Sequence, residues 1–230
     1  MPDPSPGAPA LALFPYYEQL VPWFEEELAG ITDEQLDFTN PAQWFAVWSI
    51  RRQVSHVCYA HFFWSGIQWG KVLRADDPVD IKAHLDRRYD RVLREDRWWA
   101  IADLKTKLRD CVGRSLALLR GETVAGAQAR EVSMKIPAGT PVGLGDREDV
   151  HTFWQRYAAY HRRGIRRDAD DPESWRFSLE MSMRHILWEG TTHLYAIQLI
   201  KKELGLATHV TLPAEGYVVN DMKKAAAGSQ

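Results

Sequence analysis

Ser174-Trp-Arg-Phe-Ser-Leu-Glu-Met-Ser-Met-Arg-His-Ile-Leu-Trp-Glu-Gly-Thr-Thr-His-Leu-Tyr-Ala-Ile-Gln-Leu-Ile-Lys-Lys-Glu-Leu-Gly205 is the strongest helical stretch of the chain. It predicts a helix from Ser174 to about Leu204, ended by Gly205. At about 100° per residue, positions four apart drift only about 40° around a helix, so His185, Glu189 and His193 share one stripe two turns long. Met181, Ala196 and Ile200 continue that face with apolar side chains, which turns the stripe toward the interior. A long helix with an inward face needs other helices to cover it.

The chain supplies them. Tyr17, Leu20, Val21, Phe24 and Leu28 recur at helical spacing between Phe14 and Gly30 and predict a first helix, which Pro22 starts or kinks. Asn40-Pro41 marks a turn, and Ser49 is a natural N-cap for a second helix from about Ile50 to about Trp69. After the break at Asp76-Asp77-Pro78, helical segments are expected over Ile81 to Glu95 and Trp98 to Leu119. From Gly121 to Asp149, glycines and prolines surround Val132-Ser133-Met134-Lys135-Ile136, which reads as one strand or half a hairpin. A short helix follows from Val150 to Arg167. Residues 1–13, rich in proline, read as a flexible lead-in; residues 213–230 form a tail without an assigned element, its last six residues read as disordered. The predicted fold class is all-α: an antiparallel helical bundle domain over residues 14–212, with an inserted glycine-rich loop or short β excursion at 121–149 and an extra short helix.

Composition narrows the function classes. The 230 residues are 45% hydrophobic and 26% charged, an ordinary globular balance. With 29 Lys+Arg against 31 Asp+Glu, the net charge of −2 is too balanced to drive nucleic-acid binding. No stretch approaches the roughly 20 apolar residues that span a membrane, and residues 1–13 lack the basic and apolar regions of a leader, so no membrane partner and a cytoplasmic location are expected. Cys58 and Cys111, outside any CxxC, read as inert core thiols.

Buried ionisable groups must be paired, hydrogen-bonded or metal-bound. Glu189 and His193, four residues apart, can ligate one ion, and His56, on a face of the second helix shared with Tyr59, Ala60, Phe63 and Ile67, is the candidate third ligand. Two imidazoles and a carboxylate suit Zn²⁺, Ni²⁺ or Fe²⁺. A hydrogen-bonded core pair is the competing reading of the same spacing. His185 reads as a partner of Glu189, a fourth ligand or a packed histidine, and His61 as hydrogen-bonded core.

Two segments carry a resemblance. Trp48-Ser49-Ile50-Arg51-Arg52-Gln53-Val54-Ser55-His56 is similar to the entry of the second helix in the DinB/YfiT-like superfamily, where a Trp-Ser pair precedes a metal-binding histidine. His193-Leu-Tyr-Ala-Ile-Gln-Leu-Ile-Lys-Lys-Glu-Leu-Gly205 resembles that superfamily's last helix. Glu189-Gly-Thr-Thr-His193 stands where many members have HxxxH, and is similar to the His, Glu, His triad of the mycothiol-dependent maleylpyruvate isomerase branch. Leu194, Tyr195 and Ala196 replace the usual Arg-Gly-Gln, so nothing carries over to them.

The resemblance implies a DinB-like antiparallel four-helix bundle with a divalent metal, zinc foremost, held by His56, Glu189 and His193. It also implies a low-molecular-weight thiol activated at that metal. The expected function is a thiol-dependent S-transferase or isomerase acting on a small electrophilic metabolite, with Glu189 and His185 in catalytic roles. Trp48 and Phe63, in an aromatic cluster with Trp44, Phe45, Phe62 and Trp64, would line the cofactor pocket, and the glycine-rich loop would be its lid. Arg163, in the basic run Arg162, Arg163, Arg166 and Arg167, would clamp carboxylates of the thiol. A solvated basic face is the competing reading of that run. A non-catalytic small-ligand-binding bundle and a metal-dependent hydrolase needing no thiol are the alternatives. A homodimer is left open, with no face assigned.

Overall fold

The structure, a computed structural model, describes residues 4–85, 91–142, 148–161 and 163–227. It is mainly helical with one small antiparallel sheet. A 3₁₀ turn at Ala10–Leu13 and another at Tyr17–Gln19 lead into α1 (Leu20–Glu27), with Pro22 in the first turn, where its missing N–H costs nothing. Thr32 and Gln35 form a capping box on α2 (Asp33–Leu36). Ser49 accepts from Arg52 N and caps α3 (Ile50–His61), which runs on as a π-helical stretch, Phe62–Gln68, before α4 (Gly70–Leu73). After α5 (Ile81–His84) come α6 (Ile101–Gly121) and α7 (Val124–Ala129), then strand β1 (Glu131–Lys135) and α8 (Val150–Ala158). Strands β2 (Ile165–Arg167) and β3 (Ser174–Ser178), helix α9 (Leu179–Glu203) and helix α10 (Val218–Ala227) complete the chain.

Helices α3 and α6 pack on each other, α1 packs on α6 and α9, and α9 also packs on α3. Their facing residues, among them Phe24, Val54, Leu108 and Ile197, form the buried core. Among the described residues no helix is long and apolar enough to cross a membrane.

The mainly helical expectation holds, and β1 lies in the expected β excursion at 121–149, but that strand belongs to a three-stranded sheet, ordered β1-β3-β2, whose other two strands were not expected. Ser174–Ser178 was expected as the start of the last helix. Its alternation instead places Trp175 and Phe177 on one buried face, paired to Met134 and Val132 of β1, and Ile165 of β2 also lies opposite Phe177. Ser178 then caps α9 by accepting from Met181 N, so strand passes into helix with no loop. The expected helix at Val150 to Arg167 stops at Ala158, and Ile165–Arg167 pairs with β3 instead; before that strand Gly164, at φ +87, passes so near Ser178 that a Cβ there would lie 2.0 Å from its hydroxyl.

Other expectations also shift. Among the described residues of the segment to Glu95, Ile81–His84 alone is helical and Leu85 bridges Leu93; residues 86–90 lie outside the described residues, as do Gly143, Gly145 and Arg162. The lead-in is not loose from residue 9 onward: Pro9 bridges Thr123, Ala10 N donates to Glu122 O, and Ala10 and Leu13 are buried. The tail carries α10, which packs on α9 and includes residues 225–227.

One polar contact lies inside the helical core. Glu27 at the end of α1 and Lys201 on α9 are 0% and 2% exposed and pair at 2.5 Å. Glu27 Oε1 also accepts from Gln198 Nε2 and from the backbone N–H groups of His209 and Val210, each at 2.8 Å, and Lys201 Nζ donates to Glu27 O. The pair thereby fastens the chain after α9 to the end of α1.

Candidate metal centre

His56 on α3 and Glu189 and His193 on α9 bring one ligand atom each to within 4.8 Å of one another, a cluster that could hold a metal ion. Glu189 Oε2 is 3.7 Å from His56 Nε2 and 3.4 Å from His193 Nε2. The helix register explains the convergence: Glu189 and His193 stand one turn apart, and Gly190 lets α9 approach Leu20 of α1, whose methyls would lie 3.0 Å from a Cβ there.

The far side of each imidazole is already engaged. His56 Nδ1 donates to the backbone carbonyl of Arg91 at 2.7 Å, which can only accept. Arg91 takes a left-handed φ of 57° there, a strained conformation for a residue with a side chain. His193 Nδ1 bonds Gln53 Oε1, and the amide is oriented by Gln53 Nε2 donating to Phe45 O at 3.2 Å. Both Nδ1 atoms therefore carry the protons, and both bare Nε2 atoms face the carboxylate. Three acceptors converge with no proton among them, the donor set and outer support of a divalent cation site. Trp48 packs on both rings, stacked 5.9 Å from His193 and tilted 5.1 Å from His56.

Burial pushes the His56 imidazole down to about 4, against the opposing pull of Glu189, so it is neutral and available as a ligand. Replacing Gln53 with Leu removes the acceptor behind His193 together with the Nε2 bonds to Phe45 O and Trp48 O, and leaves the three donors of the triad in place. The variant is expected to stay folded and to lose about 10–100-fold in Zn²⁺ affinity, read by competition with a chromophoric chelator.

The three donors border a cavity of ≈ 870 Å³, within the range of small-molecule sites. Phe63, Trp64, Phe153 and Trp154 form its aromatic wall, and Met134 to Pro137 and Thr140 to Val142, from the glycine-rich insertion, form another. Trp48 and Phe63 both border this cavity, and Trp48 also packs on the two imidazoles. Trp44, Phe45 and Phe62 are not on the wall; Phe62 is buried in the core.

His185 also lines the cavity, but its Nδ1 bonds Tyr217 Oη at 2.8 Å, not Glu189. Arg163 pairs with Glu180 at 3.1 Å and borders a second pocket. Arg166 pairs with Glu131 at 2.8 Å on the surface. His61 is buried and bonds Ser115 Oγ at 3.0 Å, as a core histidine should. Cys58 and Cys111 are buried free thiols.

Sequence reasoning missed Gln53, although it sits one helical turn before His56, and Tyr217, Asn220 and Asp221, which α10 and its approach bring to the cavity. Gly216 makes that approach: at φ +63, its Cβ position falls 2.3 Å from the Trp188 ring, so only glycine lets the chain lie there. Compared with protein-family models, curated proteins and solved structures, the chain matches none.

Proposed function

We propose that this chain is a divalent-metal-dependent enzyme that uses a low-molecular-weight thiol, an S-transferase or isomerase for a small electrophile. In this reading α1, α3, α6 and α9 are a DinB/YfiT-like bundle and His56, Glu189 and His193 hold the metal, zinc first among the ions that such donors suit. The observation that carries the proposal is the convergence of two bare Nε2 atoms and a carboxylate, each imidazole fixed from behind, on the border of a cavity. When bound there, a divalent cation supplies the positive charge that strips the proton from a thiol of ordinary pKa about 8.5.

The chain's own residues do the rest. Glu189 brings one negative charge, so the site keeps a net positive charge when a dication is present. Phe63, Trp64, Phe153 and Trp154 keep bulk water from the nucleophile, and a small electrophile packs against the same rings. His185, on the cavity wall, is placed to exchange protons with the bound reactants.

The test is spectroscopic and then chemical. Co²⁺-loaded protein titrated with small thiols is expected to develop sulfur-to-cobalt absorption, and Zn²⁺-loaded protein is expected to consume a small electrophile such as maleylpyruvate only when a thiol is present. Turnover without thiol would replace the proposal with a metal-dependent hydrolase. Thiol uptake or small-ligand binding with no turnover of any electrophile would reduce it to a binding module.

A further inference from the structure

Tyr217 places a hydroxyl between two imidazoles. Its Oη lies 2.8 Å from His185 Nδ1 and 2.7 Å from His161 Nε2, and all three side chains are buried. His185 lines the main cavity, while His161 lines a second pocket of ≈ 330 Å³ bordered by Arg163, Glu180 and Arg184. The three side chains therefore span the partition between two spaces.

A phenol donates one proton and accepts on its lone pairs, and a neutral imidazole has one N–H and one bare nitrogen. A continuous chain through Oη is satisfied in two ways. In the first, His185 Nδ1–H donates to Oη and Oη–H donates to His161 Nε2, which leaves a bare Nε2 on His185 and an Nδ1–H on His161. In the second, His161 Nε2–H donates to Oη and Oη–H donates to His185 Nδ1, which leaves Nε2–H on His185 and a bare Nδ1 on His161. Burial holds both imidazoles below their usual range, His161 at about 3, so neither ring retains a positive charge at neutral pH.

We propose that His185, Tyr217 and His161 form a proton relay between the main cavity and the second pocket. Its service to catalysis rests on the reading of the cavity as a reaction site. The passage balances. A proton given up by an S–H or O–H in the cavity is taken at His185 Nε2, and the proton on His185 Nδ1 passes to Tyr217 Oη. The phenolic proton passes to His161 Nε2, and the proton on His161 Nδ1 leaves into the second pocket. The chain is then in the second arrangement, with His185 Nε2–H able to return a proton to a carbanion or leaving group, and the reverse passage resets it. Such an outlet carries off the proton that a thiol gives up when it ionises against the aromatic wall.

Long-range ¹H–¹⁵N spectra of the histidine-labelled protein read the tautomers directly. Nδ1–H on both His161 and His185, or Nε2–H on both, is the expected result in the wild type, and Tyr217→Phe, which keeps the ring, is expected to uncouple them. Opposed tautomers, with both rings donating to Oη or neither doing so, would overturn the relay.

A kinetic arm uses 2-mercaptoethanol as the probe and Co²⁺-loaded protein, with sulfur-to-cobalt absorption and a pH indicator followed together. Tyr217→Phe is expected to slow the coupled proton release roughly 10²-fold at saturating thiol; equal rates would overturn the relay. If the wild type takes up no thiol, the thiol reading fails, and the tautomer pairing still decides the relay.

Discussion

The Glu189→Ala variant is expected to emerge from chelator-free purification with close to no divalent metal, against close to one equivalent per wild-type chain. The carboxylate is the one formal negative charge of the triad, and it stands 3.7 and 3.4 Å from the two Nε2 atoms. Without it two neutral imidazoles remain, and the loss should exceed the about 10–100-fold assigned above to the outer partner Gln53. His193→Ala and His56→Ala should act in the same direction. Elemental analysis reads the occupancy, and circular dichroism shows that the helices persist. In the wild type, Zn²⁺ at about 100 times its dissociation constant should add about 2.7 kcal/mol to stability, and Glu189→Ala should lose that increment. A wild-type chain that binds none of Zn²⁺, Ni²⁺ or Fe²⁺ would remove the metal site and the enzymatic reading with it.

Lys201→Met should lower the unfolding free energy by about 3–5 kcal/mol, because it leaves Glu27 charged and buried without its cation. The double variant Glu27→Gln/Lys201→Met should recover part of that loss, and chemical denaturation of the set isolates the pair. The same contact responds to acid. Burial by itself would raise the Glu27 carboxyl, but Lys201, Gln198 and the N–H groups of Val210 and His209 outweigh it and hold the pKa below the usual value. A group depressed in the folded state contributes stability that is present above its unfolded pKa of about 4.3 and is lost as pH falls through the folded pKa. Wild-type stability should therefore drop below about pH 4.3 more steeply than that of Glu27→Gln.

Periodicity made much of this molecule legible. The stripes that became α6 and α9, and the spacing of Glu189 and His193, follow from the 3.6-residue turn and needed no tertiary information. The entry to α3 was legible because Ser49 is chemically a cap. What was hidden depends on distant partners. Ser174–Ser178 is a strand only because β1 and β2 flank it, and five residues of alternation cannot be told from the start of a helix by local pattern. His193 needs Gln53, 140 positions away, and His185 meets Tyr217 only because Gly216 lets the tail lie against Trp188. Arg163 looked like an anion clamp because sequence shows charge and conceals Glu180 beside it.

The joint at Ser178 has a mechanical consequence. Ser178 N donates to Gly164 O, Leu179 N donates to Arg130 O, and the Ser178 side chain caps the next turn, so β3 and α9 meet with no hinge residue between them. The carboxylate and imidazole on α9 are thereby coupled stiffly to the sheet edge that carries Met134 and Lys135. On another wall of the cavity, Thr140 and Val150 are joined by a backbone bond, Pro141 bridges Asp149, and Thr140 Oγ1 donates to Pro137 O. A reactant entering the cavity therefore meets an anvil on the α9 side.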